Sequence, residues 1–312
     1  MTWGVVSTIK AEAPAILRFV AYHLHTGAAR LYLYLDAPCP AAEAALRDRP
    51  EVVLTQCDEA YWAARKGGRP DAHQARQTIN ATRAYHEARD LEWITHIDVD
   101  EFLVPRTPID AQLAALGPQV LNARARPMEL LADGSGDAFK QFVPQGPQRE
   151  PTVSRLYPHF GEFLKGGFLS HIAGKVFVRT GLPDVKLRIH NVFQNGEMNP
   201  AGVELPGCQL AHFHAPSWEA WQRSFHYRFE QGSYRADLGP AKPRKRGGIT
   251  THELFDFLMQ DDPEAGLRRF FDEVCADSPD LRARLEAEGL LYVQSIPFDT
   301  YVRKYFPQTS MI

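Results

Sequence analysis

Short apolar runs alternate with amphipathic segments along the first hundred residues. Runs rich in β-branched residues predict buried strands, and apolar positions three or four residues apart predict the helices between them. The strands are predicted at Trp3–Ile9, Leu31–Leu35, Val52–Leu54 and Trp93–Ile97. Because strands that alternate with helices form parallel sheets, we predict an α/β fold of the doubly wound type. The sheet is expected to be mostly parallel, with helices on both faces.

The pattern is less regular beyond Pro105, although further elements are predicted. Thr250 and Glu253 have the spacing of a capping box, so a helix is expected to begin there. Helical patterns continue to Leu291, which predicts a helical C-terminal extension. The predictions in between are a long glycine- and proline-rich loop over 132–151, strands over 174–179, 187–193 and 210–214, and a helix over 216–231.

The composition is that of an ordinary globular protein. Apolar residues make up 44% of the 312 residues and charged residues 23%, which excludes wholesale disorder and allows a sizeable core. Lys and Arg number 35 and Asp and Glu number 38, so the net charge is −3 and no nucleic-acid partner is expected. The four cysteines form no C-x-x-C pair, which argues against a zinc ribbon or a disulfide framework.

The sequence predicts neither a targeting segment nor a membrane-spanning segment. The residues after Met1 lack the basic region and the small-residue cleavage site of a signal peptide. No window approaches the ~18 to 20 apolar residues that a transmembrane helix needs. We therefore expect a cytoplasmic protein, with contact to the inner face of the membrane as a further expectation.

Charged residues follow three of the predicted strands at the point where each strand ends. Lys10 and Glu12 follow the first strand, Asp36 follows the second, and a D-V-D-E segment beginning at Asp98 follows the fourth. In a parallel sheet the carboxyl ends of the strands meet at one edge, where ligands bind. Alternation along an extended chain would put Asp98 and Asp100 on one side, within reach of one Mg²⁺ or Mn²⁺. The alternative is a solvated acidic turn, because D-x-D is a common pattern.

Several segments together resemble one protein family. Residues 92–103, EWITHIDVDEFL, resemble the W-(apolar)-x-x-(I/L)-D-x-D-E-F-L signature of glycosyltransferase-2-like proteins, which have the GT-A type fold of nucleotide-diphospho-sugar transferases. Residues 9–14 resemble the K-N-E-A motif of this family, with Ala11 in place of Asn. Other resembling segments occur in the same order, at residues 21–27, 32–36 and 77–80, and more weakly at 175–179, 189–192 and 210–214.

The resemblance implies a metal-dependent glycosyltransferase of the hexosyltransferase type, active in polysaccharide biosynthesis. Such an enzyme moves a sugar from a nucleotide-diphospho-sugar donor to a glycan or lipid-linked acceptor. The residues that the resemblance assigns to the donor are Lys10, Glu12, Asp36, Gln77, Asn80 and Asp98. Asp98 and Asp100 would hold Mn²⁺ or Mg²⁺, which would bridge the diphosphate.

Histidines in the distal half are candidates to complete the metal site, because imidazole and carboxylate together suit Mn²⁺. The candidates are His190 and His212. The alternative for each is a half-buried histidine that is hydrogen-bonded to the backbone. His214 follows His212 in an H-x-H pattern and is expected to point away from it if the strand is regular.

A general base for an acceptor hydroxyl is expected in the second half of the chain. Glu162 lies in an aromatic segment flanked by glycines, which suits a close approach to a substrate. The alternative interpretation of Glu162 is a surface carboxylate, and Asp133 and Asp137 in the predicted loop are the next candidates for the base.

Two more features have a structural and a functional interpretation. Trp218, Trp221 and Phe225 share one face of a predicted helix, which favours core packing, with a sugar-stacking wall as the alternative. The basic segment 242–246 is interpreted as a solvated loop, with a clamp for pyrophosphate or an anionic lipid-linked acceptor as the alternative.

We divide the chain by expected role. Residues 1–105 are predicted to be the nucleotide-sugar-binding α/β half, residues 106–235 the acceptor-side half of the same domain, and residues 236–312 the helical C-terminal extension. Two other functions use the same residues. One is a non-catalytic nucleotide-sugar-binding protein of this fold, and the other is a metal-dependent phosphohydrolase.

Overall fold

The computed structural model describes residues 1–308 and divides them into two compact units. The first unit contains residues 1–126, residues 173–210 and the described residues from Pro297 onward. The second unit contains residues 127–172 and 211–296. These boundaries do not coincide with the predicted division at residues 105 and 235, because the chain returns to the first unit twice. The donor and acceptor roles given to the predicted ranges stay predictions.

The described chain is a mixture of strands and helices, which confirms the α/β class. The strands are β1 Trp3–Ile9, β2 Arg30–Leu35, β3 Val52–Gln56, β4 Trp93–His96, β5 Glu101–Pro105, β6 Asn122–Leu130, β7 Ala138–Gln141, β8 Lys175–Arg179, β9 Val185–Leu187, β10 Val192–Gln194, β11 Glu197–Met198, β12 Gly202–His212 and β13 Leu291–Val293. The helices are α1 Ala13–His25, α2 Pro40–Leu46, α3 Glu59–Ala63, α4 His73–Glu87, α5 Ile109–Ala114, α6 Arg149–Leu156, α7 Trp218–Glu230, α8 Thr251–Leu258, α9 Pro263–Val274, α10 Pro279–Ala287 and α11 Phe298–Tyr305. Within residues 1–308, none of these helices is long and apolar enough to cross a membrane.

The sheet of the first unit has a parallel part and an antiparallel part. Strands β3, β2, β1 and β4 lie side by side in that order and are all parallel. Strand β8 pairs antiparallel with β4, and residues 122–125 of β6 pair antiparallel with β8. Strand β12 pairs with β5. The four strands predicted from the first hundred residues thus form the parallel part, and later segments of the chain add the antiparallel strands.

Helix α4 covers one face of the parallel strands. Its buried residues Ala81, Ala84 and Tyr85 pack in one cluster with Val6 and Tyr32 of the strands. Because side chains alternate between the faces of a strand, the neighbouring buried residues of β1 and β2 face the opposite side. The strands are therefore buried on both faces, which explains their nearly continuous apolar sequence.

Three sequence-based predictions differ from the structure. The strand predicted over 187–193 is two short antiparallel strands, β9 and β10, because the chain turns where Arg188 donates its N–H to the carbonyl of Asn191 at 2.8 Å. The strand predicted over 210–214 is longer and begins at Gly202. The prediction is too short because exposed polar residues interrupt the apolar pattern of the first part of the strand. The loop predicted over 132–151 contains β7 and the start of α6.

The second unit combines a three-stranded antiparallel arrangement with most of the later helices. Residues 128–130 of β6 pair with β7, which pairs with β13. The described part of the predicted helical extension contains helices α8 to α11 and the short strand β13, and α11 belongs to the first unit. The capping box at α8 is confirmed. The Thr250 hydroxyl accepts the Glu253 N–H at 3.1 Å, and the Glu253 carboxylate accepts the Thr250 N–H at 2.7 Å.

Trp221 lies at the centre of the second-unit core. Its side chain is fully buried, and its ring contacts four phenylalanine rings at centroid distances of 5.0–6.3 Å. The indole N–H donates to the Tyr234 hydroxyl at 3.0 Å. Trp218 and Phe225 are also buried. The core-packing interpretation of this aromatic face is therefore confirmed.

Candidate functional site

The carboxyl ends of β1, β2 and β4 lie at one edge of the first-unit sheet. Asp36 directly follows β2, and its N–H donates to the Ile9 carbonyl at the end of β1, at 2.8 Å. Ile97 follows β4 and donates its N–H to the Val6 carbonyl of β1 at 3.0 Å. Since β2 and β4 flank β1, this edge contains the point at which strand order reverses, where ligands bind in open α/β sheets. The predicted convergence of Lys10, Asp36 and Asp98 at one edge is thus confirmed.

The segment from Asp98 to Glu101 is a closed turn and not an extended chain. The N–H of Glu101 donates to the Asp98 carbonyl at 3.0 Å, which is the bond of a β-turn. The Glu101 carboxylate accepts the Asp98 N–H at 2.9 Å and closes the turn from the other side. The extended backbone on which the expectation for Asp98 and Asp100 rested is therefore absent at residues 98–101, and alternation does not apply to a turn. Their predicted role as metal ligands stays a prediction.

Both oxygens of the Asp98 carboxylate contact polar hydrogens. The Gln77 amide of α4 donates to Oδ1, and the ammonium of Lys175 lies 2.5 Å from Oδ2. Lys175 Nζ is also 3.1 Å from Glu101 Oε2. Burial raises the pKa of Asp98, but the Lys175 ammonium outweighs burial and holds that pKa well below its usual range. Burial lowers the pKa of Lys175, and the two carboxylates outweigh this and raise it. The pair is therefore ionised at neutral pH.

Asp36 contacts two arginines. Its side chain is 1% exposed, and it lies 3.0 Å from Arg69 Nη2 and 2.9 Å from Arg76 Nη2. Arg76 also donates Nη1–H to the carbonyls of Pro70 and Asp71, so it ties the loop before α4 to the end of β2. A pocket of about 420 Å³ opens beside Asp36. Its lining residues are Asp36, Cys57, Asp58, Glu59, Trp62, Ala63, Gly68 and Arg69.

Helix α4 orients several polar groups toward this edge. Besides Arg76 and Gln77 it contributes His73, whose Nδ1 is 3.8 Å from Asp36 Oδ2 and whose pKa is lowered chiefly by burial. Asn80 is fully buried, and its amide donates to Thr8 Oγ1 at 3.0 Å and accepts the Tyr61 hydroxyl at 2.7 Å. Asn80 thus joins α4 to β1 and α3, and its predicted contact with a donor stays a prediction.

Lys10 and Glu12 lie between β1 and α1. Both side chains are exposed, and Glu12 is the residue before the first turn of α1. The Glu12 carbonyl accepts the N–H groups of Ala15 and Ile16 at 3.1 and 3.3 Å. Their position at the carboxyl end of β1 is that expected from the sequence, and their predicted donor contacts stay predictions.

The two candidate metal-binding histidines lie in different units. His190, in the first unit, donates Nδ1–H to the Gly174 carbonyl at 3.0 Å, which is the backbone bond expected of the alternative interpretation. His212, in the second unit, has Nδ1 3.2 Å from Ser170 Oγ and its ring centroid 5.5 Å from that of His171. Metal binding by His190 and His212 stays a prediction. The expectation that His214 points away from His212 is wrong, since their rings are 5.1 Å apart, because β12 ends at His212.

Glu162 lies on a 3₁₀ turn of the second unit. Its side chain is 52% exposed and is 3.6 Å from Lys242 Nζ. A groove of about 830 Å³ lies beside this turn. Its lining residues are His159, Phe160, Phe163, Ile249, Leu254, Phe257, Leu258, Arg269, Asp272 and Glu273. The role of Glu162 as a base stays a prediction.

The other acidic and basic candidates of the second unit have structural partners. Asp133 accepts the Trp218 N–H at 3.3 Å at the start of α7, and Asp137 accepts the Ser135 hydroxyl. In the basic segment, Arg244 is 2.7 Å from Glu253 and Arg246 is 2.6 Å from Glu150. These exposed ion pairs support the solvated-loop interpretation of residues 242–246.

Sequence reasoning missed the cationic side chains that contact Asp36 and Asp98. Arg69, His73 and Arg76 lie in or next to a polar segment that the sequence predicts to be a loop. Their common partner, Asp36, is 33 to 40 residues away along the chain. The pairing of Lys175 could have been inferred from the sequence. Lys175 begins an apolar strand, and a lysine is rarely buried unless it is paired with an acidic group. The acidic partner of such a lysine cannot be read from one sequence.

Comparisons with known proteins identify remote structural similarity. No family model and no curated protein sequence matches the chain. The chain is similar to GalNAc-T7 solved with UDP, GalNAc and Mn²⁺, at 12% identity and a TM-score of 0.40, over 98% of this chain and 58% of that protein. It is also similar to glucosyl-3-phosphoglycerate synthase from Mycobacterium tuberculosis, at 12% identity and a TM-score of 0.33, over 89% and 81% of the two chains. A third structure is the galactosyltransferase LgtC with donor and acceptor sugar analogues, at 11% identity and a TM-score of 0.27, over 56% and 57%.

Proposed function

We propose that this protein is a glycosyltransferase that takes a sugar from a nucleotide-diphospho-sugar donor. The observation that carries the proposal is the edge formed by the carboxyl ends of β1, β2 and β4. Two carboxylates, the buried Asp36 and the partly exposed Asp98, lie at this edge, and each contacts a cationic side chain. The edge includes the reversal of strand order, which is the usual ligand position in open α/β sheets.

The pocket beside Asp36 has the size and chemistry for a nucleoside. Its volume of about 420 Å³ lies within the range of ligand pockets. Carboxylates such as Asp58 accept hydrogen bonds from ribose hydroxyls and base N–H groups, and the half-exposed guanidinium of Arg69 donates to base carbonyl oxygens. Lys10, Glu12, Gln77 and Asn80 are proposed as further donor-binding residues.

The residues near the turn fit Mn²⁺ or Mg²⁺ by their chemistry. Asp98 and Asp100 offer the hard carboxylate oxygens that these ions prefer, and a carboxylate oxygen that accepts one hydrogen bond keeps a second lone pair. We propose Asp98 and Asp100 as ligands, with His190 and His212 as further ligands. A bound divalent ion would stabilise the negative charge that develops on the diphosphate leaving group.

The acceptor is proposed to be a glycan or a lipid-linked sugar, as in polysaccharide biosynthesis at the inner face of the membrane. Attack at the anomeric carbon requires the acceptor hydroxyl to lose its proton, and Glu162 is proposed to take it. The exposure of Glu162 beside a large groove supports access to a hydroxyl. His159, Phe160 and Phe163 near it provide a mixed polar and apolar lining.

A panel of nucleotide-sugars tests the proposal by thermal shift, with and without Mn²⁺. A donor present at about 100 times its Kd should stabilise the protein by about 2.7 kcal/mol. Asp36→Asn should lose this shift, and Asp90→Asn, an exposed aspartate paired with Arg30, should keep it. The released nucleoside diphosphate is then measured with a glycan acceptor.

The results separate the proposal from the two other functions. Nucleoside diphosphate release that requires an acceptor supports transfer. Binding with no release supports a non-catalytic binding protein, and release of phosphate without an acceptor supports a phosphohydrolase. If no nucleotide-sugar in the panel shifts the unfolding temperature, the proposal is wrong.

A further inference from the structure

Lys175 places one ammonium group against two carboxylates. Nζ is 2.5 Å from Asp98 Oδ2 and 3.1 Å from Glu101 Oε2. The side chains of Lys175 and Glu101 are both 0% exposed, and that of Asp98 is 27% exposed. The ammonium therefore contacts both ends of the turn that runs from Asp98 to Glu101.

The same contact supports the backbone of the turn. Glu101 Oε2, which faces Lys175, is also the oxygen that accepts the Asp98 N–H at 2.9 Å. On the other side, the Gln77 amide holds Asp98 Oδ1. Lys175 thus shares each carboxylate with a hydrogen-bond donor, the Gln77 amide at Asp98 and the Asp98 N–H at Glu101, and helps to orient both side chains.

The backbone at the start of β8 lies close to that of β6, which restricts the position of Lys175. The preceding Gly174 has φ of +69°, and a Cβ at this position would lie 2.1 Å from the Ala125 carbonyl oxygen of β6. Only glycine permits this close approach in that conformation. The backbone of β6 therefore sets the position at which Lys175 enters the site.

We propose that Lys175 is a resident cation of the Asp98–Glu101 turn, which keeps the turn folded and its carboxylates oriented in the absence of a divalent ion. Lys175 acts through Asp98 and Glu101, so it is a positioning residue. The positive charge of Lys175 partly neutralises the negative charge of the Asp98 and Glu101 carboxylates. A divalent ion is therefore attracted to this turn less strongly than it would be without the lysine. The inference goes beyond the proposed sugar transfer and does not depend on the identity of any donor.

The test compares the wild type with Lys175→Met, with no nucleotide present. Thermal unfolding is measured in EDTA and in excess Mn²⁺, and Mn²⁺ binding is measured by electron paramagnetic resonance. Excess Mn²⁺ should raise the unfolding temperature of the wild type by less than it raises that of Lys175→Met. Lys175→Met should unfold roughly 10 °C lower in EDTA, because it removes the ammonium that faces the carboxylates of Asp98 and Glu101. Excess Mn²⁺ should restore much of this loss, and the variant should bind Mn²⁺ at least about 10-fold more tightly than the wild type.

Lys186→Met is the matched control, because Lys186 is an exposed lysine on β9. It should match the wild type in both measurements. The proposal is overturned if Lys175→Met unfolds like the wild type in EDTA, or if Mn²⁺ neither restores its unfolding temperature nor binds it more tightly. A lysine that served only to fill space would show the loss of stability without the response to Mn²⁺.

A second variant covers the case in which Lys175→Met does not fold in EDTA. Adding Asp98→Asn to Lys175→Met removes one of the two carboxylate charges that Lys175 faces, with little change of volume. The double variant should unfold at a higher temperature in EDTA than Lys175→Met. If the second substitution brings no gain, the charge-balancing role is overturned. Since no arm uses a nucleotide, failure here is distinguishable from failure of the proposed function.

Discussion

Arg76 binds Asp36 through two nitrogens, Nε and Nη2, each 2.9 Å from the same carboxylate oxygen, Oδ2. The two residues are 40 positions apart in the chain, and both side chains are largely buried. The pair connects helix α4 to the end of strand β2. It also fixes the loop that carries Arg69, because the Arg76 guanidinium donates to the carbonyl groups of Pro70 and Asp71.

Arg76→Met should destabilise the protein by about 3 kcal/mol, because it leaves a buried carboxylate with one partner fewer. Donor affinity should also decrease, since Asp36 and Arg69 lose their fixed positions. The free energy of unfolding is measured by urea denaturation. Arg83→Met on the same helix removes an exposed pair with Glu87 and should cost less than about 1 kcal/mol. Equal losses in the two variants would contradict the importance of the Arg76–Asp36 pair.

Asp100→Asn should abolish the Mn²⁺-dependent part of nucleotide-sugar binding while the fold stays intact. The substitution removes a charge but almost no volume, and hard divalent ions prefer carboxylate to amide oxygen. Binding is measured by calorimetry with and without Mn²⁺, and circular dichroism checks the fold. Asp90→Asn, at an exposed position of the same unit, should bind like the wild type. The metal assignment is wrong if Asp100→Asn binds the donor with unchanged Mn²⁺ dependence.

Glu162→Gln should lower the rate of transfer at least about 10²-fold, because the amide cannot accept the proton of the acceptor hydroxyl. Donor affinity should stay nearly unchanged, since the change affects only the proposed proton transfer. Initial rates at saturating donor provide the measurement. Glu150→Gln is the control, as Glu150 is also exposed and is paired with Arg246 in the same unit. A rate within about 3-fold of the wild type for Glu162→Gln would sink the assignment and direct attention to Asp133 and Asp137.

The free energy of unfolding should decrease as the pH falls from 6.5 to about 4, in part because of His23. This ring is fully buried, donates Nδ1–H to the Phe19 carbonyl at 2.9 Å, and burial lowers its pKa from 6.5 to about 4. The unfolded state therefore binds more protons than the folded state between these values, so stability rises with pH across this window. The contribution of His23 should approach about 1.4 kcal/mol per pH unit there.

His23→Phe tests this origin of the pH dependence. The variant keeps an aromatic ring beside Phe19 and Phe102 but cannot bind a proton. Its urea-unfolding free energy should fall less steeply with decreasing pH than that of the wild type. His226→Gln changes a histidine whose side chain is 84% exposed, and it should leave the slope unchanged. Parallel pH curves for His23→Phe and the wild type would show that other groups cause the decrease.

The parallel strands could be predicted from the sequence because their burial is uniform. Strands β1 and β2 are buried at nearly every position, so their apolar runs are continuous and contrast with the polar segments that follow them. The same contrast marks Asp36 and Asp98 as the residues at the carboxyl ends. Strand β12 was only partly predicted, since exposed residues such as Glu204 interrupt its apolar pattern.

The sequence by itself therefore determined the α/β class, the order of the first four strands and the edge at which Lys10, Asp36 and Asp98 gather. Local hydrophobic pattern carries this information, because each strand needs only its own residues to show that it is buried. Tertiary structure decided which cation faces each carboxylate. Arg76 meets Asp36 and Lys175 meets Asp98 across 40 and 77 residues of chain. These pairs form because a charge enclosed by the fold must have a partner, and sheet pairing brings that partner to the site.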